Sequence, residues 1–233
     1  MHTTETNTSW EPKMKFDSKF IDRGSFKPKY GLVFEKEEIN KEPMFYRANA
    51  DFAYEHGGAI TRQFLDKLPD DWKNIPVTID SRVHMLMPGW FPCIPGMHHD
   101  DIPRTREDRQ PNYAQLDYSA DHIMGLVNGE VAPTEFAVGE IDLAIPPIGS
   151  VVYREWHPKI MEAVDAGHMQ SVKAESYKYI QFDNFAFHQG TRAVTSGWRW
   201  FIRISRNTER ALYCKNEIRQ QVQVYMENPM EGW

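Results

Sequence analysis

The run "GWRWFIRISR", residues 197–206, alternates without a break. Trp200, Ile202 and Ile204 fall on one side of an extended segment, and Arg199, Phe201, Arg203 and Ser205 fall on the other. The Trp/Ile side belongs against a core. The second side carries two arginines among aromatics, which are costly to bury unless an anion meets them. A chain with such a strand needs a sheet whose two faces serve different purposes.

Other segments of the same kind surround it. Residues 77–87, 121–128, 134–139, 150–155 and 177–182 favour β, and Pro, Gly and Asn mark the separators. Two helical patterns are expected. Residues 57–69 place Ile60, Phe64, Leu65 and Leu68 on one face and stop at Pro69; residues 156–167 form the second. These elements predict a mainly β chain with flanking helices, a β-sandwich or jelly roll, in a single domain over residues 1–233. Residues 1–30 are polar with scattered aromatics and read as an N-terminal arm over the domain surface.

Composition narrows the partners. A net charge of -6 argues against a general phosphate-binding surface and so against nucleic acid, while a local basic pocket stays open. Two cysteines, Cys93 and Cys214, make no disulfide framework and suit a reducing cytoplasm. No apolar run reaches membrane-spanning length, and the first residues lack the apolar core of a signal peptide. The expectation is a cytoplasmic protein, away from membranes, acting on a small-molecule substrate.

The chemistry concentrates in "GMHHDDIP", residues 96–103. Pro92, Pro95 and Gly96 precede the His-Asp cluster and Pro103 follows it, which excludes a helix there. In an extended segment residues i and i+2 share a side, so His98 pairs with Asp100, or His99 with Asp101. Either pair is an H-x-D unit. His188, closing the aromatic run "FDNFAFHQG", is the candidate for a third ligand. Two histidines and one carboxylate with open positions suit a non-haem Fe(II) that activates oxygen. His56, His84, His122, His157 and His168 read as surface or core residues, Cys93 as a small buried apolar residue, and Trp90, Phe91, Trp198 and Trp200 as core. The charge run 103–110 is by default a solvated loop. Its place directly after the motif makes Arg104, Arg106 and Arg109, with Trp90 on the entering loop, candidates for a substrate rim.

This set of residues resembles the Fe(II)/2-oxoglutarate-dependent dioxygenase superfamily: H-x-D, a distal His, then an Arg on the following strand. The resemblance covers roughly residues 77–206. Pro95-Gly96-Met97-His98-His99-Asp100 is similar to the superfamily's PG-x-H-x-D setting, which implies His98, Asp100 and His188 as the metal ligands. Arg199, eleven positions after His188, is the first choice for 2-oxoglutarate; Arg203, fifteen after it, stays in play because Arg203-Ile204-Ser205 looks like an R-x-S pairing. Thr134 in "PTEF" resembles a threonine that assists 2-oxoglutarate in one branch. The resemblance implies a double-stranded β-helix core (jelly roll, cupin-like), Fe(II), and 2-oxoglutarate and O2 as co-substrates. It further implies hydroxylation or a related oxidation of a small molecule, such as a nucleotide or an amino-acid-like compound. His99 then faces away from iron, and Asp101 either orients a ligand or caps the loop. Two other readings are a metal-dependent phosphohydrolase using His99-Asp100, which needs helices where the prolines lie, and a non-catalytic jelly-roll binding protein.

Overall fold

A computed structural model describes residues 13–29, 32–115 and 119–226. The strands are β1 (Lys13–Ser18), β2 (Phe20–Ser25), β3 (Met44–Tyr46), β4 (Thr78–Leu86), β5 (Asp121–Val127), β6 (Thr134–Ala144), β7 (Gln170–Lys173), β8 (Lys178–Asp183), β9 (Phe187–Gly190), β10 (Gly197–Arg206) and β11 (Glu217–Arg219). The helices are α1 (Lys36–Ile39), α2 (Ala50–His56), α3 (Ala59–Asp66), α4 (Val152–Asp165) and α5 (Glu209–Leu212). One sheet runs β2-β8-β5-β10-β4, and a second holds β1-β6-β7 with β9 also on β6. A small β11-β3 pair stands beside them. All of these pairings are antiparallel. The fold is mainly β with flanking helices, a jelly roll of the cupin-like kind.

Side-chain alternation explains the layering. On β10, Trp200, Ile202 and Ile204 join Ile79, Val83, Ile123 and Val127 in a core that also takes Ala53 of α2 and Ile60 and Phe64 of α3. The opposite face sends Phe201 inward against Met124, Leu126, Ile180 and Phe182, which meet Phe136 of the second sheet. The outer face of that sheet buries Phe16, Ala137 and Leu143 against Val152, Tyr153, Trp156 and Ile160 of α4. Each sheet is thus backed by helix, and the space between the sheets holds both apolar rings and the charged face of β10. Gly125 marks how closely α3 approaches β5: a Cβ there would stand 2.4 Å from the Phe64 ring and 2.8 Å from Phe26.

Local chemistry sets the ends of the helices. Asn49 accepts from the Phe52 backbone N–H at 2.8 Å and starts α2. For α3 the cap comes from a distant residue. Buried Glu42 accepts from the backbone of Gly58, Ile60 and Thr61 and from the Thr61 hydroxyl. Its burial pushes the carboxyl pKa up, against those hydrogen bonds.

Two expectations need correction. Residues 150–155 are not a strand: α4 begins at Val152. Val152, Tyr153, Trp156 and Ile160 form a helical stripe that docks on the second sheet, and this packing outweighs the β preference of the valines. Residues 13–25 do not lie over the surface as an arm. They are β1 and β2, one strand in each sheet, paired with β6 and β8. The rest of that arm, residues 1–12 and 30, falls outside the described residues. Among the described residues no helix is long and apolar enough to cross a membrane.

Candidate metal centre

The loop after β4 returns to the sheets at His98, which makes a two-way backbone bridge to His188 on β9: His98 N–H to His188 O at 3.0 Å, and His188 N–H to His98 O at 3.2 Å. This short ladder places both imidazoles side by side, ring centres 4.6 Å apart. Asp100 joins them, and one ligand atom from each of His98, Asp100 and His188 lies within 4.8 Å of the others. His98 Nδ1 lies 2.8 Å from the Gly96 carbonyl and His188 Nδ1 lies 2.9 Å from the Ala186 carbonyl. A carbonyl can only accept, so both Nδ1 atoms carry the proton and the Nε2 atoms are the ones turned toward the site, that of His188 standing 3.1 Å from Asp100 Oδ2. Burial, then the neighbouring His188, depresses the His98 pKa to about 3, so the ring is neutral. Two imidazoles and a carboxylate are a donor set that fits a divalent metal.

His99 takes the other side. Its ring stacks on Phe187 at 3.8 Å, sits near Phe16, Tyr113, Tyr153 and Trp156, and shares a 2.8 Å hydrogen bond with the Tyr113 hydroxyl. The Tyr153 hydroxyl on α4 donates to the His99 carbonyl at 3.0 Å. Packing His99 this way fixes the backbone that aims His98 and Asp100. Strict alternation would send Asp101 the same way as His99, but its φ of 56° turns the chain. Asp101 instead faces Arg210 as an ion pair, Arg203 at 4.0 Å and His122 at 3.9 Å.

Arg199 and Arg203 leave β10 on the same face but meet different company. Arg203 forms an ion pair with Asp100 and lies 3.7 Å from Asp80. Burial lowers its pKa and the acids Asp100, Asp101 and Asp80 raise it, with a net upward result. For Asp100, burial works upward, but Arg203 and His188 prevail and hold the carboxyl well below its usual range. Arg199 is 2 % exposed, donates to the Thr134 hydroxyl at 3.1 Å, and meets no carboxylate among the described residues. Its Nε is buried without an acceptor. Burial draws its pKa down to about 10. Arg199, Thr134 and the three candidate ligands line one inner cavity of about 260 Å³, closed by Met124, Phe182 and Phe201.

Other candidates stand apart from this cavity. Ser205 shares a 2.8 Å hydrogen bond with His122 and is not on the cavity wall. Trp90 packs against Leu86, Val131, Ala132 and Ala193. Arg106 is a strap: it grips Asp108 and donates to the carbonyls of Pro146 and Pro147, tying the charge run to the turn before α4. Arg104 lines a larger outer cavity of about 950 Å³, whereas Arg109 is exposed and off that wall. Residues not singled out from the sequence also enter. Asp80, Arg82 and His84 occupy alternate positions on β4 and face inward, so the period-2 pattern "IDSRVHML" held the signal. Arg210 had none, because α5 follows a turn and carries no motif.

No family model matches the chain, and no curated protein matches it. Among solved structures it is similar to HygX from Streptomyces hygroscopicus. The apo form has 13% identity and a TM-score of 0.41 over 81% of each chain. The iron-bound form has 13% identity and a TM-score of 0.36 over 81% of this chain and 82% of that one. Likeness at that level fixes neither fold nor function, and both rest on the geometry above.

Proposed function

We propose that the protein is a non-haem iron oxygenase that couples 2-oxoglutarate decarboxylation to the hydroxylation, or a related oxidation, of a small-molecule substrate. The observation that carries this reading is the pairing, in one inner cavity, of the His98–Asp100–His188 group with a buried arginine that lacks an acid. An unpaired guanidinium costs stability, and a dicarboxylate with one end at the metal group and the other at Arg199 removes that cost. Fe(II) at the three ligands would supply oxygen activation, with 2-oxoglutarate giving two electrons and leaving as succinate and CO2.

The chain's own residues do the rest. Thr134 and Arg199 would hold the far carboxylate. The Gly96 and Ala186 carbonyls keep the two imidazoles in the tautomer that binds metal. Arg203 keeps Asp100 ionised and aimed. Phe182, Phe201 and Met124 line the inner cavity with apolar surface, which would help to keep water from the reacting groups once the co-substrate is bound. Arg203 is a poorer co-substrate anchor than Arg199 because carboxylates already surround it. His99 and Asp100 do not share a face, which leaves the phosphohydrolase reading without a metal pair.

The test is an anaerobic titration with Fe(II) and 2-oxoglutarate, followed by succinate release. A weak visible charge-transfer band is expected for the native chain and for His99→Ala. It should vanish in His98→Ala, Asp100→Ala and His188→Ala. Full succinate production by His98→Ala together with an inactive His99→Ala would show that the wrong histidine has been assigned.

A further inference from the structure

Outside the metal group the cavity widens to about 950 Å³, a volume suited to a molecule of nucleotide size. Five arginines line it, Arg82, Arg104, Arg203, Arg210 and Arg219, against two carboxylates, Asp100 and Asp101. In a chain of net charge -6 this is a local reversal of sign. Asp100, Asp101 and nearby Asp80 are already engaged by Arg203 and Arg210. Three cations are left over.

Arg82 is the most constrained of them. It is half-buried on β4, where its Nη1 donates to the carbonyls of Phe45 at 3.2 Å and Ser81 at 2.7 Å. Its Nε and Nη2 meet no protein acceptor among the described residues, and no carboxylate lies within ion-pair reach. Burial works against its charge, Asp80 works for it from beyond ion-pair distance, and the neighbouring Arg219 and Arg203 work against it, with a net downward result. Arg219, on β11, stacks its guanidinium 3.5 Å over the Tyr46 ring, and the one acid it reaches among the described residues is its exposed neighbour Glu217, at 3.9 Å. Among the described residues Arg104 donates to the Arg109 carbonyl, at 3.3 Å, and meets no carboxylate. Arg219 and Arg82 repel each other, and an anion on this wall of the cavity would satisfy the unused guanidinium donors with bidentate geometry. Arg82 lines both the inner and the outer cavity, as do His98 and Asp100, so a molecule anchored on Arg82 extends toward the metal group.

We infer that Arg82 and Arg219, with Arg104 at the rim, form an anion-binding subsite for the oxidised substrate, which carries a phosphate or carboxylate group. The anchor stands on strands β4 and β11, and the loop arginines Arg106 and Arg109 are not part of it. The assignment of the anion to a substrate rests on the oxygenase reading; the anion site itself does not.

Calorimetry on metal-free protein tests it, with inorganic phosphate and citrate as separate probes. Saturable binding that weakens with added salt is expected for the native chain and for Arg109→Gln, whose side chain is off the cavity wall. In Arg82→Gln and Arg219→Gln it should be at least ten-fold weaker. Arg219 lies on an exposed strand, so its substitution leaves folding intact and decides the matter if Arg82→Gln is unstable. The tighter probe tells whether the group is phosphoryl or carboxylate. No saturable binding of either anion would overturn the proposal, as would binding lost in Arg199→Gln and kept in Arg219→Gln. A parallel titration with Co(II) separates the two readings. Anion binding without Co(II) binding sinks the oxygenase reading and keeps this subsite, and the reverse pattern does the opposite.

Discussion

Arg199 and Arg203 stand four residues apart on the same face of the same strand, yet they occupy opposite electrostatic worlds. Around Arg203, Asp80, Asp100 and Asp101 converge from β4 and the metal loop, with Arg210 from α5 adding a second cation. Around Arg199 there is a hydroxyl from Thr134, a neutral His84 facing it across β4, and, among the described residues, no acid. The first arginine is therefore a structural counter-ion that holds a candidate metal ligand in place. The second is a buried charge without a carboxylate partner among the described residues. Identity and exposure do not separate the two; what the neighbouring strands bring does.

Acid attacks both regions and gives the largest expected effect. His84, near Arg199, and His122, near Arg203, both have pKa values depressed to about 3, first by burial and then by those arginines. An unfolded histidine takes a proton near pH 6.5, so below that the unfolded state binds more protons and stability falls as pH drops toward about 3. Each such group contributes a slope of about 1.4 kcal/mol per pH unit. Urea melts of the metal-free protein from pH 8 to pH 4 should be flat above about 6.5 and fall steeply below it. A flat profile throughout would mean that neither histidine is kept neutral.

Removing each arginine sharpens the contrast. Arg203→Met strands a cluster of carboxylates and should cost about 3–5 kcal/mol in chemical denaturation. Arg199→Met should leave the stability of the ligand-free protein equal or higher, because it removes a buried cation with no counter-ion. Equal losses in the two variants would erase the distinction.

The binding measurement should show the reverse order. Arg199→Met is expected to weaken 2-oxoglutarate by about 2–5 kcal/mol, seen as a rise in its KM far larger than any change in the substrate KM. Co-substrate binding unaffected in Arg199→Met would reassign the far carboxylate to another cation.

Thr134→Val is the mildest probe. It deletes the acceptor that meets Arg199 while keeping the volume, so about 1 kcal/mol, or several-fold in the 2-oxoglutarate KM, is expected. A silent variant would show that Arg199 is placed by packing alone.

Periodicity is a local property, and what the sequence determined on its own follows from it. The alternation of residues 197–206 already separates a Trp/Ile face from an Arg/Phe face, and the structure buries the first against helices and turns the second inward. Proline and glycine around residues 92–103 exclude a helix, so the His-Asp cluster had to lie on an irregular loop. The tertiary structure alone decided the start of α4 at Val152, where docking on a sheet overrides a β-prone composition. It also decided the turn at Asp101, whose positive φ breaks the side-to-side alternation and moves a carboxylate into the ionic cluster. Most of all it decided which arginine is free. Asp80 and Arg203 are far apart in the chain and meet only because β4 pairs with β10 in one register. Charge neutralisation depends on distances of a few ångströms between such segments, and no local pattern in the sequence encodes that distance.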